Sequence, residues 1–105
     1  MVHFIALYQL AKEVDDAKID ELMRTSRSML LRIQEVHNVR SGKRIDPKMD
    51  YPFSIAMDFE NLDKLAMFRE DPLWLKFQRD HLESATTQAL ELIYETEPGK
   101  NLKYS

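Results

Sequence analysis

The segment Val2-His3-Phe4-Ile5-Ala6-Leu7-Tyr8-Gln9-Leu10 is apolar and aromatic, and too short to stand alone as a helix, so it reads as a β-strand. Successive side chains of a strand point to opposite faces. Phe4, Ala6, Tyr8 and Leu10 therefore share one face, and Ile5 and Leu7 share the other. A sheet face left in water reads as apolar–polar alternation. This strand is apolar on both sides, so both faces of its sheet need cover.

The following segments supply cover for one face. Asp15 is placed to cap a helix, with Val14 and Ile19 spaced as a hydrophobic staple. Ile19, Leu22, Met23, Ser26, Met29, Leu30 and Ile33 then recur at helical spacing, opposite a charged face of Asp20, Glu21, Arg24 and Arg27. The period changes to two over Val36–Gly42, and Asp46-Pro47 marks a turn. Phe53, Ile55, Met57 and Phe59 line one face of a strand over Tyr51–Phe59. Asn61 caps a short helix carrying Leu62, Leu65, Ala66 and Phe68, and Asp71-Pro72 starts another carrying Leu73, Trp74, Phe77, His81 and Leu82. Residues 88–96 alternate again, and Pro98-Gly99 ends the last strand. The order βαββαβ predicts an α+β, ferredoxin-like fold: a four-stranded antiparallel sheet with the helices on one face. Residues 1–97 form the single domain and 98–105 a polar tail.

Composition narrows the functional classes. The 105 residues include 44% hydrophobic and 31% charged side chains, which excludes disorder for the bulk of the chain. With no Cys, disulfides, thiolate metal sites and thiol nucleophiles are excluded. The net charge of −3 argues against nucleic-acid and anionic-membrane partners. The start lacks a basic leader, and no run approaches the roughly 20 apolar residues of a membrane span. The expected location is the cytoplasm.

Ile5 and Leu7, with Ile93, Val39 and Ala56, are expected on the sheet face without helices. At about 25 cal/mol per Å², a few hundred Å² of such surface is worth several kcal/mol on burial. A second copy packing sheet to sheet about a two-fold axis is the simplest cover. His3, Gln9, Ser54, Asp58, Glu91 and His37 are expected among these apolar residues, so a partly polar cavity should remain, between sheet and helices or between two sheets.

Several stretches resemble the stress-responsive A/B barrel (Dabb) domain of the dimeric α+β barrel superfamily. They are Val2-His3-Phe4-Ile5-Ala6-Leu7, Met57-Asp58-Phe59-Glu60, and Met67-Phe68-Arg69-Glu70-Asp71-Pro72-Leu73-Trp74-Leu75-Lys76-Phe77. The resemblance implies a homodimer whose two sheets form a barrel. Where such proteins have an activity, it implies cofactor-free lyase or polyketide-cyclase chemistry with a His as base. Relatives in the superfamily include antibiotic-biosynthesis-type monooxygenases and haem-degrading enzymes. His3 matches the His that opens the first strand in that family. The family's second His, two residues after a Pro, is Trp74 here, and the acidic residue before the aromatic of the last strand is Ile93. Of the residues of the haem-degrading type, Trp74 and His81 are present, and Gln9 is the one amide on the first strand.

The candidate catalytic residues are His3 and His81. The unperturbed imidazole titrates near pH 6.5 and suits proton transfer, but a hydrogen-bonded histidine near the chain start is equally consistent with the sequence. Trp74 and His81 lie two helical turns apart on one face, able to line a pocket together or to serve as core and surface. Tyr8, Asp58, Trp74 and Phe77 are the candidate ligand-binding residues. The three His show no metal-ligand spacing, so no metal or other cofactor is expected. The partners expected are a second copy of the chain and a small hydrophobic or aromatic molecule. The alternatives are a non-catalytic, stress-related dimer and, as the resemblance implies, a monooxygenase of the antibiotic-biosynthesis type.

Overall fold

The computed structural model describes residues 1–96. The expected tail at 98–105 and the Pro98-Gly99 stop lie outside the described residues. The elements are β1 (Val2–Leu10), α1 (Asp16–Leu30), β2 (His37–Lys43), β3 (Phe53–Phe59), α2 (Leu62–Arg69), α3 (Pro72–Phe77) and β4 (Thr86–Glu95). The strands form one antiparallel sheet in the order β2-β3-β1-β4, the ferredoxin-like arrangement.

Each helix starts at the cap its sequence supplies. The Asp15 carboxylate accepts from the Lys18 amide at 2.9 Å, and Asn61 Oδ1 accepts from Lys64 at the same distance. Asp71 accepts from the Leu73 amide at 2.8 Å, with Pro72 in the first turn where its missing N–H costs nothing. Helix α1 ends at Leu30, although the apolar spacing continues to Ile33. The amides of Arg32 and Ile33 donate to the carbonyls of Met29 and Leu30, which tightens the chain into a turn. Ile33 still points inward and is buried. Helix α3 continues as a π-helical turn over Gln78–Leu82, closed by the Glu83 amide donating to the Gln78 carbonyl at 2.9 Å.

Every second residue of the central strands faces the helices. Val2, Phe4, Ala6 and Tyr8 of β1 are buried there beside Phe53, Ile55, Met57 and Phe59 of β3. From the helical side, Leu22, Leu30, Leu65, Phe68, Trp74, Phe77 and Leu82 complete the core. Its centre is aromatic: the Phe68 ring lies 4.7 Å from Trp74, 5.0 Å from Phe59 and 5.9 Å from Phe4, centroid to centroid. Ser26 is the one fully buried polar side chain in the described core. Its hydroxyl pairs with that of Ser41 and donates to the Met23 carbonyl, so no polar atom is left unsatisfied.

Three residues expected on the open face lie on the helical side instead. Ile93 pairs with Phe4, and Glu91 with Ala6, so each shares the face of its partner. Apolar residues occupy both parities of β4, Leu92 as well as Ile93, so alternation alone does not choose its inner side. Being an edge strand, β4 also leaves Ile93 45% exposed on the side the helices incompletely cover. Val39 packs against the core because the β2 register shifts between His37 and Arg40. Asn38 stands there with φ of 54°, the left-handed conformation that Asn tolerates better than most residues.

Phe68→Ala should cost about 3–5 kcal/mol, because the cavity falls between three other aromatic rings. Urea unfolding followed by Trp74 fluorescence measures it directly.

Candidate functional site

The open face of the sheet has two zones. Cross-strand pairs Ile5–Leu92 and Leu7–Leu90 make an apolar zone along β1 and β4. Along β3 and β2 the residues are small or polar: Ser54, Ala56, Gly42 and Arg40. At one end of this face, where His3 lies opposite both Asp58 and Tyr94, the polar side chains converge.

Asp58 is the hub of that cluster. It is 8% exposed, and its carboxylate accepts from His3 Nδ1 at 2.7 Å, from Arg40 at 3.2 and 3.4 Å, and from Asn38 Nδ2 at 3.2 Å. Burial by itself would push the carboxyl up. The hydrogen bonds from Arg40, His3 and Asn38, together with the Arg40 charge, outweigh it and hold Asp58 below its ordinary 3.8. Asp58 is therefore an anion near neutral pH, and an anion can only accept. It takes the Nδ1–H of His3, and in the neutral form of the ring Nε2 is then the nitrogen that carries the lone pair. Nε2 lies 2.9 Å from the Thr96 hydroxyl.

The backbone places these groups. The β2 bulge at Asn38 turns both Asn38 and Arg40 towards Asp58, and the Arg40 guanidinium also donates to the Asn38 carbonyl at 2.8 Å. Thr96 stands just beyond β4, and its amide donates to the Met1 carbonyl at 3.0 Å, beside the start of β1. Asn38, Arg40 and Thr96 were missed in the sequence reading. A signal for Arg40 was present: a buried Asp on a sheet face requires a cation on a neighbouring strand.

The remaining candidates lie on the other side of the sheet. Trp74 and Phe77 are buried in the aromatic core, with centroids 6.2 Å apart. His81 stacks on Phe77 at 5.6 Å, from the π-helical turn, so Trp74, Phe77 and His81 form one row. Tyr8 is also on this side, stacked on Phe53. Burial first, then the Glu91 charge, push its phenol well above the ordinary range, so it is a donor and not a base. The sheet thus separates His3 and Asp58 from Trp74, Phe77, His81 and Tyr8. His37 sits at the rim, 3.7 Å from Glu60.

Two larger grooves lie at the edges of the fold. One, of about 340 Å³, is lined by Leu7, Ile45, Met49, Tyr51 and Ser54 under the β2–β3 connection. The other, of about 430 Å³, lies between the β1–α1 connection and the turn before β4, lined by Val14, Lys18, Ser84 and Ala85 among others. Among the described residues, no three His, Asp or Glu side chains are grouped to hold a metal ion. No helix of the described residues is long and apolar enough to cross a membrane.

The depressed Asp58 carboxyl makes stability depend on pH. A group whose folded value lies below its unfolded value stabilises the fold above the unfolded value, and that contribution is lost as pH falls through the folded one. The stability gap between the native chain and Asp58→Asn should therefore be widest at pH 5–7 and close as pH falls below about 4. Urea titrations at pH 7 and pH 3 measure the gap.

No family model matches the sequence, and no curated protein matches it. Solved structures do match in fold. A Dabb family protein with a ferredoxin-like fold from Mesorhizobium loti superposes with a TM-score of 0.79 at 20% identity, over 91% of this chain and 96% of that one. A dimeric ferredoxin-like protein of unknown function from Thermobifida fusca gives 0.80 at 14% identity, over 90% of each chain. The hydroxynitrile lyase from Passiflora edulis gives 0.77 at 14% identity, over 95% of this chain and 96% of that one. The chain has the ferredoxin-like α+β fold that these proteins share.

Proposed function

We propose that the chain works as a homodimer joined through the open sheet face, and that His3 acts as a general base on a small hydrophobic or aromatic molecule without a bound cofactor. The observation that carries this reading is the 2.7 Å contact between His3 Nδ1 and the charged Asp58. That contact fixes the tautomer and leaves Nε2 within hydrogen-bond reach of a hydroxyl oxygen, the geometry proton abstraction needs. A substrate hydroxyl reaching Nε2 would lose its proton there. The bond from the hydroxyl-bearing carbon to a stable leaving group then breaks, leaving a carbonyl. A hydroxynitrile lyase is among the proteins of this fold.

Dimerisation is supported by Ile5, Leu7, Leu90 and Leu92, a contiguous apolar zone with no helix over it. It is supported too by the dimeric state of the Thermobifida fusca protein. The lack of Cys and the mildly acidic composition fit a cytoplasmic location without assigning it. A second reading, a binding dimer without chemistry, is favoured by the close packing of Trp74 and Phe77, which fills the helical side of the sheet with the chain's own side chains.

Light scattering at micromolar concentration should give twice the mass of the chain, and Leu92→Asp should halve it. A wild-type monomer would overturn the dimer. Against a panel of small aromatic α-hydroxynitriles, His3→Ala should cut the rate at least 10²-fold, the usual worth of a positioned base. Equal rates for the two proteins would remove His3 from the mechanism.

A further inference from the structure

We propose that Asp58, His3 and Thr96 form an acid–base–hydroxyl triad, and that Thr96 Oγ1 accepts the acyl group of small activated esters. Three side chains, from β3, from β1 and from the residue just after β4, are joined by two hydrogen bonds. Asp58 Oδ1 to His3 Nδ1 is 2.7 Å, and His3 Nε2 to Thr96 Oγ1 is 2.9 Å. Nucleophilic catalysis needs this order of contacts: a hydroxyl against a base, and the base oriented by a third group.

Each link has a physical reason to run in the catalytic direction. Asn38 and Arg40 donate to Asp58 Oδ2, and Arg40 also reaches the Oδ1 that His3 bonds, so both carboxylate oxygens are held. When the imidazole is neutral, the Asp58 anion takes its single N–H, and the nitrogen facing Thr96 is then the acceptor. Among the described residues, the alternative acceptor for the Thr96 hydroxyl is the Met1 carbonyl at 3.4 Å, which is the longer contact. The backbone bond from Thr96 to Met1 pins the residue against β1, while its side chain stays exposed to an incoming carbonyl.

In the step proposed, Thr96 Oγ1 bonds to the acyl carbon as its proton passes to His3 Nε2. The ester C–O bond breaks, and the leaving alcohol takes the proton from Nε2. Water then repeats the sequence on the acyl-threonine, releasing the carboxylic acid and restoring the hydroxyl. No redox partner and no metal is required. The proposal rests on the same Asp58–His3 contact as the general-base reading, but needs neither a second copy nor a hydroxyl-bearing substrate.

The full chain is incubated with p-nitrophenyl acetate, and separately with a fluorophosphonate, and the adduct is located by peptide mass mapping. One acetyl or phosphonyl group should map to Thr96. Thr96→Val and His3→Gln should lose at least ten-fold of the adduct, and Thr96→Ser should keep it, with far-UV circular dichroism showing each variant folded. An adduct on lysines alone, or labelling equal in Thr96→Val and wild type, would overturn the triad. Absence of hydroxynitrile cleavage beside a Thr96 adduct would sink the lyase reading alone, and cleavage without any adduct would sink the triad alone.

Discussion

Strand β1 is hydrogen-bonded along both edges, to β3 on one side and β4 on the other. Its alternation therefore propagates to two neighbours at once. Phe4 fixes the inward side of Met57 and Ile93, and His3 fixes the outward side of Asp58 and Tyr94. A slip of one residue would exchange the core for the surface in three strands together. The aromatic cluster around Phe68 makes such a slip costly, because it fills the space above Phe4 with rings on every side. The polar cluster adds a second lock, since Asp58 would lose its partners and become a buried unpaired charge.

The two faces of that sheet do different work. The helical side is close-packed at its centre, and contributes stability. The open side carries an apolar zone and, at one end, a charged network with one imidazole nitrogen turned outward. Arg40 pairs with the Asp58 charge and Asn38 helps to orient it, so the carboxylate's influence on His3 is directional. This is how a small sheet without a deep pocket can hold a histidine in one tautomer.

Much of the fold was legible because short-range chemistry specifies it. Asp15, Asn61 and Asp71-Pro72 mark three helix starts, and each side chain makes the capping bond its position implies. Phe53, Ile55, Met57 and Phe59 announce the inner face of β3. The parity of β4 was not legible, because Leu92 and Ile93 are both apolar and only the register against β1 tells them apart. The site was legible residue by residue, and not as a constellation. His3 and Asp58 stood out separately, yet their contact spans 55 positions and depends on strand pairing. Arg40 depends further on a bulge at Asn38, whose left-handed backbone leaves no mark in an apolar–polar pattern.

The first and last strands lie side by side, and the Thr96 amide is bonded to the Met1 carbonyl. Both ends of the described chain thus emerge within a few ångströms of His3. A peptide appended before Met1 is therefore tethered at the mouth of the polar cluster. Its local concentration there would be on the order of millimolar, as for any short flexible tether. A histidine tag placed there in particular would bring competing imidazoles beside His3, and its removal should change any rate that depends on that histidine.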